Sequence, residues 1–246
     1  MTAYIGLSGY SYKPWQGEGR FYPPGMKQTE FLDYYISRYG AVEMDGTWYR
    51  MPSEKAVEGW HAKTPDSFRF SFKLHRDITH KARLKLESLD SVRFMLKRLG
   101  PLAAAGKLGP LLIQLPPNLR RNDERLDQFL KNLPTAIEGV AALPRPLEWA
   151  VEFRHESWHE PDVEAIMRGY DVAWVAADTD ESKAQRRDTG PSHYARLRRT
   201  EYSADDLAEW ARYFASTGKD CYVYCKHEDE ESPWEWADQL LALLPG

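Results

Sequence analysis

Residues 68–75, FRFSFKLH, alternate without a break. Phe68, Phe70, Phe72 and Leu74 share one parity; Arg69, Ser71, Lys73 and His75 share the other. A period of two marks a strand with unlike faces, because successive side chains on an extended chain point to opposite sides. Seven further β-prone runs occur, at 4–8, 41–44, 110–115, 148–153, 172–177, 193–197 and 221–226. Between most of them lie stretches with helical spacing of apolar residues: 29–39, 53–63, 88–105, 123–133, 161–168, 203–216 and 233–244. Ser53 before Glu54, and Ser203 before Asp205 and Asp206, are helix start signals, while Gly40, Gly106, Gly169 and Gly218 stand where helices should stop. Stretch 178–192 is charged, contains Gly190-Pro191 and has no apolar stripe. It is expected to be a long loop that replaces one helix.

Eight strands separated by helices predict an α/β fold with a parallel sheet, and eight is the number that closes a (β/α)8 barrel of the TIM type. An open doubly wound sheet is the competing architecture. Its central strands would be apolar on both faces, which 68–75 is not. In a barrel the four apolar residues of that run would face the helices. The 246 residues suit one barrel, and no linker, internal repeat or low-complexity tract divides them, so a single domain over 1–246 is expected.

Composition narrows the function. A net charge of −4 gives no global attraction to nucleic acid or anionic membranes, so such contacts would need a local basic patch. No apolar run approaches the roughly 20 residues that cross a bilayer, so no membrane partner is expected. Cys221 and Cys225 stand four apart in a strand, roughly 13 Å at about 3.3 Å per residue, too far for a disulfide. Reduced thiols, with no leader visible in MTAYIGLSGY, point to the cytoplasm.

Barrels carry their chemistry at the carboxyl ends of the strands. Alternation along each run sends a polar residue there: Ser8, then Glu43 and Asp45, Lys73 and His75, Gln114, Glu152 and Arg154, Asp178, Arg196 and Lys226. A barrel built only for stability would fill these layers with Val, Ile and Leu. The set therefore predicts a ligand site, with a structural charge network as the alternative. His155 and Trp158 follow directly on Arg154. The first loop, GYSYKPWQGEGRFYPP, adds Tyr10, Tyr12, Trp15, Phe21 and Tyr22, and the second adds Trp48 and Tyr49. These rings either stack on a ligand or pack on one another as an aromatic lid.

Three chemistries compete. In the first, Glu43 and Glu152 face each other across the mouth with Lys73 between them. Lys73 keeps one carboxylate ionised while burial raises the other's pKa, which suits hydrolase, isomerase or lyase chemistry on a polar substrate. Glu43, Lys73 and Glu152 are then catalytic. Tyr10, Tyr12, Asp45, Trp48, Tyr49, His75, Gln114, Arg154, His155, Trp158, Arg196 and Lys226 are expected to bind the ligand. The glycosidase pattern of carboxylates after strands four and seven is disfavoured, since Gln114 and Arg196 stand there. In the second, His75, His80, His155, His159 and His227 would hold a metal. Yet neither His-x-His nor HExxH spacing occurs, and Lys73, Arg154 and Arg196 would repel a cation, so no metal and no cofactor is expected. In the third, Arg196, Arg198, Arg199 and Lys226, overhung by Lys183–Arg187, bind an anion. The combined reading is an enzyme acting on a small-molecule, phosphate- or carboxylate-bearing ligand. A nucleic-acid-binding barrel, nuclease-like in one version, and a non-catalytic scaffold barrel are the alternatives. The oligomeric state is left open.

The blocks IGLSGYSYKPW, VEMDGTWYRMP, FRFSFKLHRDITH, GPLLIQLPPNL and VEFRHESW occur in that order. They resemble successive blocks of domain-of-unknown-function family 72, the YecE-like proteins, over essentially the whole chain. The resemblance implies a β/α barrel and no settled activity. It carries Glu43, Tyr49, Lys73, His80, Gln114, Pro116, Pro117, Glu152, Arg154, Trp158 and Arg196 as motif positions. Asp45 departs from a common Asn, Arg198 from a His after the seventh strand, and Lys226-His227 from an Asn pair. These departures add positive charge to one rim.

Overall fold

Each β-prone run becomes a parallel strand in a computed structural model that describes residues 1–226 and 232–244. The strands are β1 (Ala3–Ser8), β2 (Ala41–Met44), β3 (Arg69–Phe72), β4 (Leu111–Gln114), β5 (Trp149–Glu152), β6 (Ala173–Asp178), β7 (His193–Leu197) and β8 (Cys221–Cys225). Their order is β3-β2-β1-β8-β7-β6-β5-β4. The remaining seam, between β3 and β4, is held by the isolated bridges Phe70–Leu108 and Lys73–Leu112. A nearly closed (β/α)8 barrel of the TIM type results.

Alternation decides which residues go where. Phe70 and Phe72 lie outside the barrel with their rings 6.1 and 5.8 Å from Trp60 on α2 (Glu54–Lys63). The interior has its own apolar cluster, including Ala41, Leu112, Ala150, Ala173, Tyr194 and Tyr224. Ser71, of the inward parity, accepts from the Tyr224 hydroxyl at 2.9 Å.

The helices follow their local signals. After α1 (Phe31–Ile36) and α2, the stretch expected as one helix at 88–105 is two, α3 (Leu89–Arg98) and α4 (Gly100–Ala104). Pro101 is the cause: it lacks the N–H that would continue the ladder and sits in the first turn of the second helix. Next come α5 (Asp123–Lys131), α6 (Pro161–Gly169), α7 (Ala204–Thr217) and α8 (Pro233–Leu243). In α7, Ser203 and Asp206 form a capping box, Leu207, Trp210, Ala211 and Phe214 are buried, and Gly218 ends the helix at φ +69°.

No helix separates β6 from β7. The loop there is fastened at its far end. Thr189 Oγ1 accepts from Trp174 N at 2.9 Å and donates to Val172 O at 2.7 Å. Gly190 presses on β6 so closely that a Cβ would stand 2.6 Å from Ala173 N. The Arg186 guanidinium lies 4.1 Å from the Trp210 ring centre and that of Arg187 4.6 Å from Trp174. In the first loop Trp15, Phe21 and Tyr22 are buried, with Trp15 edge-on to Trp234 and Tyr22 stacked on Phe31. Those three rings are packing. Cys221 and Cys225 are buried and free, and no helix among the described residues is long and apolar enough to cross a membrane.

Candidate functional site

Strand register builds the centre of the mouth. It places Ser8 beside Glu43 on β1 and β2, and Gln114 beside Glu152 on β4 and β5. Arg196 reaches in from β7. Its Nη2 donates to Glu43 Oε1 at 2.8 Å and its Nη1 to Glu152 Oε2 at 2.6 Å. Glu43 also accepts from the Ser8 hydroxyl and from the Tyr194 hydroxyl, the latter at 2.7 Å. Gln114 Nε2 lies 2.9 Å from both Glu152 oxygens. All of these side chains are buried. Burial alone would push the Glu152 carboxyl up. The Arg196 and Arg198 charges, with hydrogen bonds from Gln114 and Arg196, outweigh it and hold the group down at about 2. One expectation is thereby corrected: Arg196, not Lys73, spans the two carboxylates and keeps Glu152 ionised.

The rim differs. Lys226 Nζ donates to Asp45 Oδ2 at 2.8 Å, and Tyr12 OH donates to the same oxygen at 2.7 Å. Gly9, at φ +92°, lets Tyr12 lie where any Cβ would clash with its ring. Arg154 stands farther off, its Nε 4.0 Å from Glu152 Oε1. Lys73 and Arg198 are half-buried, and among the described residues the side chain of neither makes a hydrogen bond or ion pair. The Lys73 amine lies 5.1 Å from the Trp48 ring centre. Burial, then repulsion from Arg196, lowers Lys73 to about 8 against the pull of Glu152 and Glu43. Burial and Arg196 likewise lower Arg198.

His80 stands on a single π turn, Asp77–Lys81, that follows β3, and such turns concentrate at functional sites. Arg83 and Leu84 after it take left-handed φ values of +53° and +62°. The Trp48 indole N–H, a donor only, points at His80 Nδ1 at 3.3 Å, and the Thr79 hydroxyl stands 2.9 Å from the same nitrogen. Nδ1 is therefore an acceptor and Nε2 carries the proton. Burial, then the charges of Lys73 and Arg154, lowers the imidazole pKa and keeps the ring neutral.

A cavity of about 710 Å³ opens on the β5–β7 side, lined by Glu152, Arg154, Trp174, Lys183, Gln185 and Arg198 among others. It exists because β6 offers only Ala173, Val175 and Ala177 to the axis and no helix follows.

Other residues named from sequence lie elsewhere. Tyr10 accepts from the Trp60 indole at 3.0 Å, on the helix side of the first loop. Tyr49 is 68% exposed, and its carbonyl meets His75 Nε2 at 3.2 Å. His155 Nδ1 accepts from Ser157 N at 3.1 Å and caps the turn Glu156–Trp158. Trp158 is 1% exposed, donates to Leu119 O at 2.7 Å and stacks on Phe153, so it has no surface to offer a ligand. Asp178 has the outward parity of β6. Its carboxylate accepts from Ala184 N at 3.3 Å and stands 3.8 Å from Arg199, outside the mouth. His227 lies outside the described residues, and among the described ones no three His, Cys, Asp or Glu stand together as metal ligands would. Sequence reasoning overlooked Tyr194, whose parity matches that of Arg196, and Trp174 as a cavity wall.

The family described as "Protein of unknown function DUF72" matches residues 4–246. The UPF0759 protein YecE of Escherichia coli K12 is 30% identical over 152 residues, 62% of this chain and 48% of that protein. YunF of Bacillus subtilis 168, also a UPF0759 protein, is 27% identical over 164 residues, 64% of this chain and 52% of its own. The chain thus matches about half the length of these curated relatives. The crystal structure of a DUF72 family protein from Thermotoga maritima superposes with a TM-score of 0.82 at 23% identity, covering 99% of both chains. One from Enterococcus faecalis gives 0.73 at 19%, covering 99% of this chain and 95% of that one. These two likenesses speak for the fold alone. By the match across 4–246, this chain belongs to the DUF72 family.

Proposed function

We propose that the barrel is an enzyme acting on a small carboxylate- or phosphate-bearing molecule. Arg154 and Arg198 hold the anion, and Lys73 takes and returns a proton. One observation carries this reading. Lys73 and Arg198 are half-buried cations without ion pairs among the described residues, and Arg198 borders a cavity large enough for a small molecule. A desolvated cation that shares nearby carboxylates with Arg196 and pairs directly with none is costly, and a bound anion supplies a direct partner. Lys73, at about 8, has both protonation states populated near neutral pH, the condition that favours proton transfer. Glu152 stays ionised and cannot be the proton donor; it serves as a fixed negative charge beside the substrate. His80, neutral and bearing its proton on Nε2, can donate a hydrogen bond to a substrate oxygen.

The test is a thermal-stability screen of small carboxylates, phosphate esters and short oligonucleotides against the parent protein and Arg198→Met. A ligand at about a hundred times its Kd should stabilise the parent by about 2.7 kcal/mol. The variant should fold and lose that stabilisation. If no carboxylate or phosphate stabilises the parent, the proposal fails. If only oligonucleotides do, with affinity falling steeply as salt rises, the barrel binds nucleic acid instead.

A further inference from the structure

Three lysines that are buried or half-buried have unlike surroundings. Lys107 is 2% exposed, yet its ammonium donates to Thr64 O at 2.6 Å and His61 O at 3.0 Å, with Asp66 at 3.7 Å. Lys226 is bound to Asp45. Those contacts tie both ammonium groups into hydrogen bonds. Lys73 lacks them. The carboxylates that could have claimed it are engaged by Arg196, Ser8, Tyr194 and Gln114. Its amine rests over the Trp48 ring, which shields it from water on that side.

From this arrangement we infer that Lys73 acts covalently, condensing with the carbonyl of an anionic aldehyde or keto acid to form an imine. The inference rests on the anion-site reading above and names its substrate class. In the step, the Lys73 nitrogen attacks the carbonyl carbon and the C=O π pair moves to oxygen. A proton passes from nitrogen to that oxygen, giving a carbinolamine. The nitrogen lone pair then expels the hydroxyl, which leaves as water with one further proton, and a C=N bond remains. Nothing is oxidised or reduced. The iminium form is positive and stands in the field of Glu152 and Glu43, the two carboxylates that act on Lys73 itself. The substrate's own anion falls to Arg198 and Arg154. Amines of lowered basicity in apolar, cation-rich surroundings are the ones that serve as carbonyl nucleophiles, because more of the amine is unprotonated. At pH 7 a lysine at about 8 is roughly a tenth free amine, against about 0.04% for an ordinary one. Weaker intrinsic nucleophilicity offsets part of this gain, leaving an advantage of about tenfold by the trade-off known for thiols.

The experiment treats the intact protein at pH 7 with glyoxylate and cyanoborohydride, which reduces the imine to a carboxymethyl amine. Labelled sites are then mapped by peptide mass spectrometry. Acetaldehyde serves as the uncharged counterpart, malonate as an anion without a reactive carbonyl, and Lys73→Arg as a variant that keeps the charge but not the nucleophile. Lys73 should be labelled about tenfold faster than exposed lysines. Acetaldehyde should lose that preference, and malonate should slow it. Lys73→Arg should lose labelling at residue 73 and nowhere else. Even labelling across the lysines would overturn the inference. Malonate binding is measured separately by calorimetry on the parent and Arg198→Met. If malonate binds and Lys73 shows no preference, the covalent step is wrong and the anion site stands. If malonate fails to bind and Lys73 shows no preference, both are wrong. A preference equal for glyoxylate and acetaldehyde would remove the anionic substrate class and with it the proposal.

Discussion

In the middle of the mouth, Arg196 grips Glu43 and Glu152 while Ser8, Tyr194 and Gln114 fill further acceptor sites. Outward along the same rim, Lys73 and Arg198 carry the same sign as Arg196 and have no such partners among the described residues. The contrast separates two uses of buried charge. The first set, one guanidinium bridging two buried carboxylates that other side chains also hydrogen-bond, fixes how the strands meet across the axis. The second, cations that feel the same carboxylates without a direct ion pair among the described residues, leaves hydrogen-bonding capacity for something that arrives later. Reading either set as "the charged site" would merge a keystone with a binding surface.

The centre can be broken most severely by Arg196→Met. It leaves two buried carboxylates without their counter-charge and should cost about 3–5 kcal/mol in urea denaturation. A loss under about 1 kcal/mol would mean that the centre is not structural and would erase the comparison. Next in size is the pH dependence of Glu152. Its folded pKa lies below the ordinary carboxylate value, so its contribution is fully present above about 4.5 and is lost as pH falls toward about 2. The stability difference between the parent and Glu152→Gln should therefore be flat from pH 5 to 7 and shrink by up to about 3 kcal/mol across the window below. A difference that is constant through that window would show that Glu152 is not held by Arg196.

The rim should respond less, and in the opposite direction. Lys73→Met and Arg198→Met remove cations that burial and Arg196 disfavour, so each should raise stability at pH 7, Lys73→Met by up to about 3 kcal/mol before the loss of side-chain packing is subtracted. Lys73 adds a signed test. Between about 8 and its ordinary pKa, the unfolded chain binds a proton that the folded one does not, so the parent should gain stability on Lys73→Met as pH rises through that range. Melting temperatures of both proteins at pH 7 and pH 10 measure it; a parent that loses ground would place Lys73 in an ion pair.

Much of this architecture is legible in alternation, because a period of two states which face a side chain takes. The outward Phe70 and Phe72 follow from it, and so does the inward Arg196. Asp178 was misplaced by departing from the same rule, since Ala173, Val175 and Ala177 hold the inward parity. Alternation does not say who bonds to whom across an axis. Lys73 and Arg196 are both inward cations, and only the position of β7 on the arc between β5 and β2 gives Arg196 the two carboxylates. Pro101 was visible, and its missing N–H explains the break that a reading of apolar spacing ran through. The π turn at His80 has no comparable sequence signal, because an i→i+5 turn is set by what the chain must reach and not by composition.

The loop between β6 and β7 has a consequence for how such a barrel changes over generations. Residues Thr179, Asp180, Glu181, Ser182, Lys183 and Gln185 all line the cavity; Asp180 also accepts from Thr200 N at 3.0 Å, and the rest of the fastening is done farther on, by Arg186, Arg187, Thr189 and Gly190. Two of those fasteners are guanidinium groups that lie against indole rings and also donate to carboxylates, Arg186 to Glu209 at 2.7 Å and Arg187 to Glu164 at 3.1 Å. The turn from Thr179 to Ser182 closes on its own backbone, with Thr179 N donating to Ser182 O at 3.0 Å. Selection can therefore rewrite one wall of the pocket, or lengthen it, without renegotiating the strand ladder or the Arg196 clamp. The cavity wall and the closure of the barrel rest on largely different residues, so a change in one need not disturb the other.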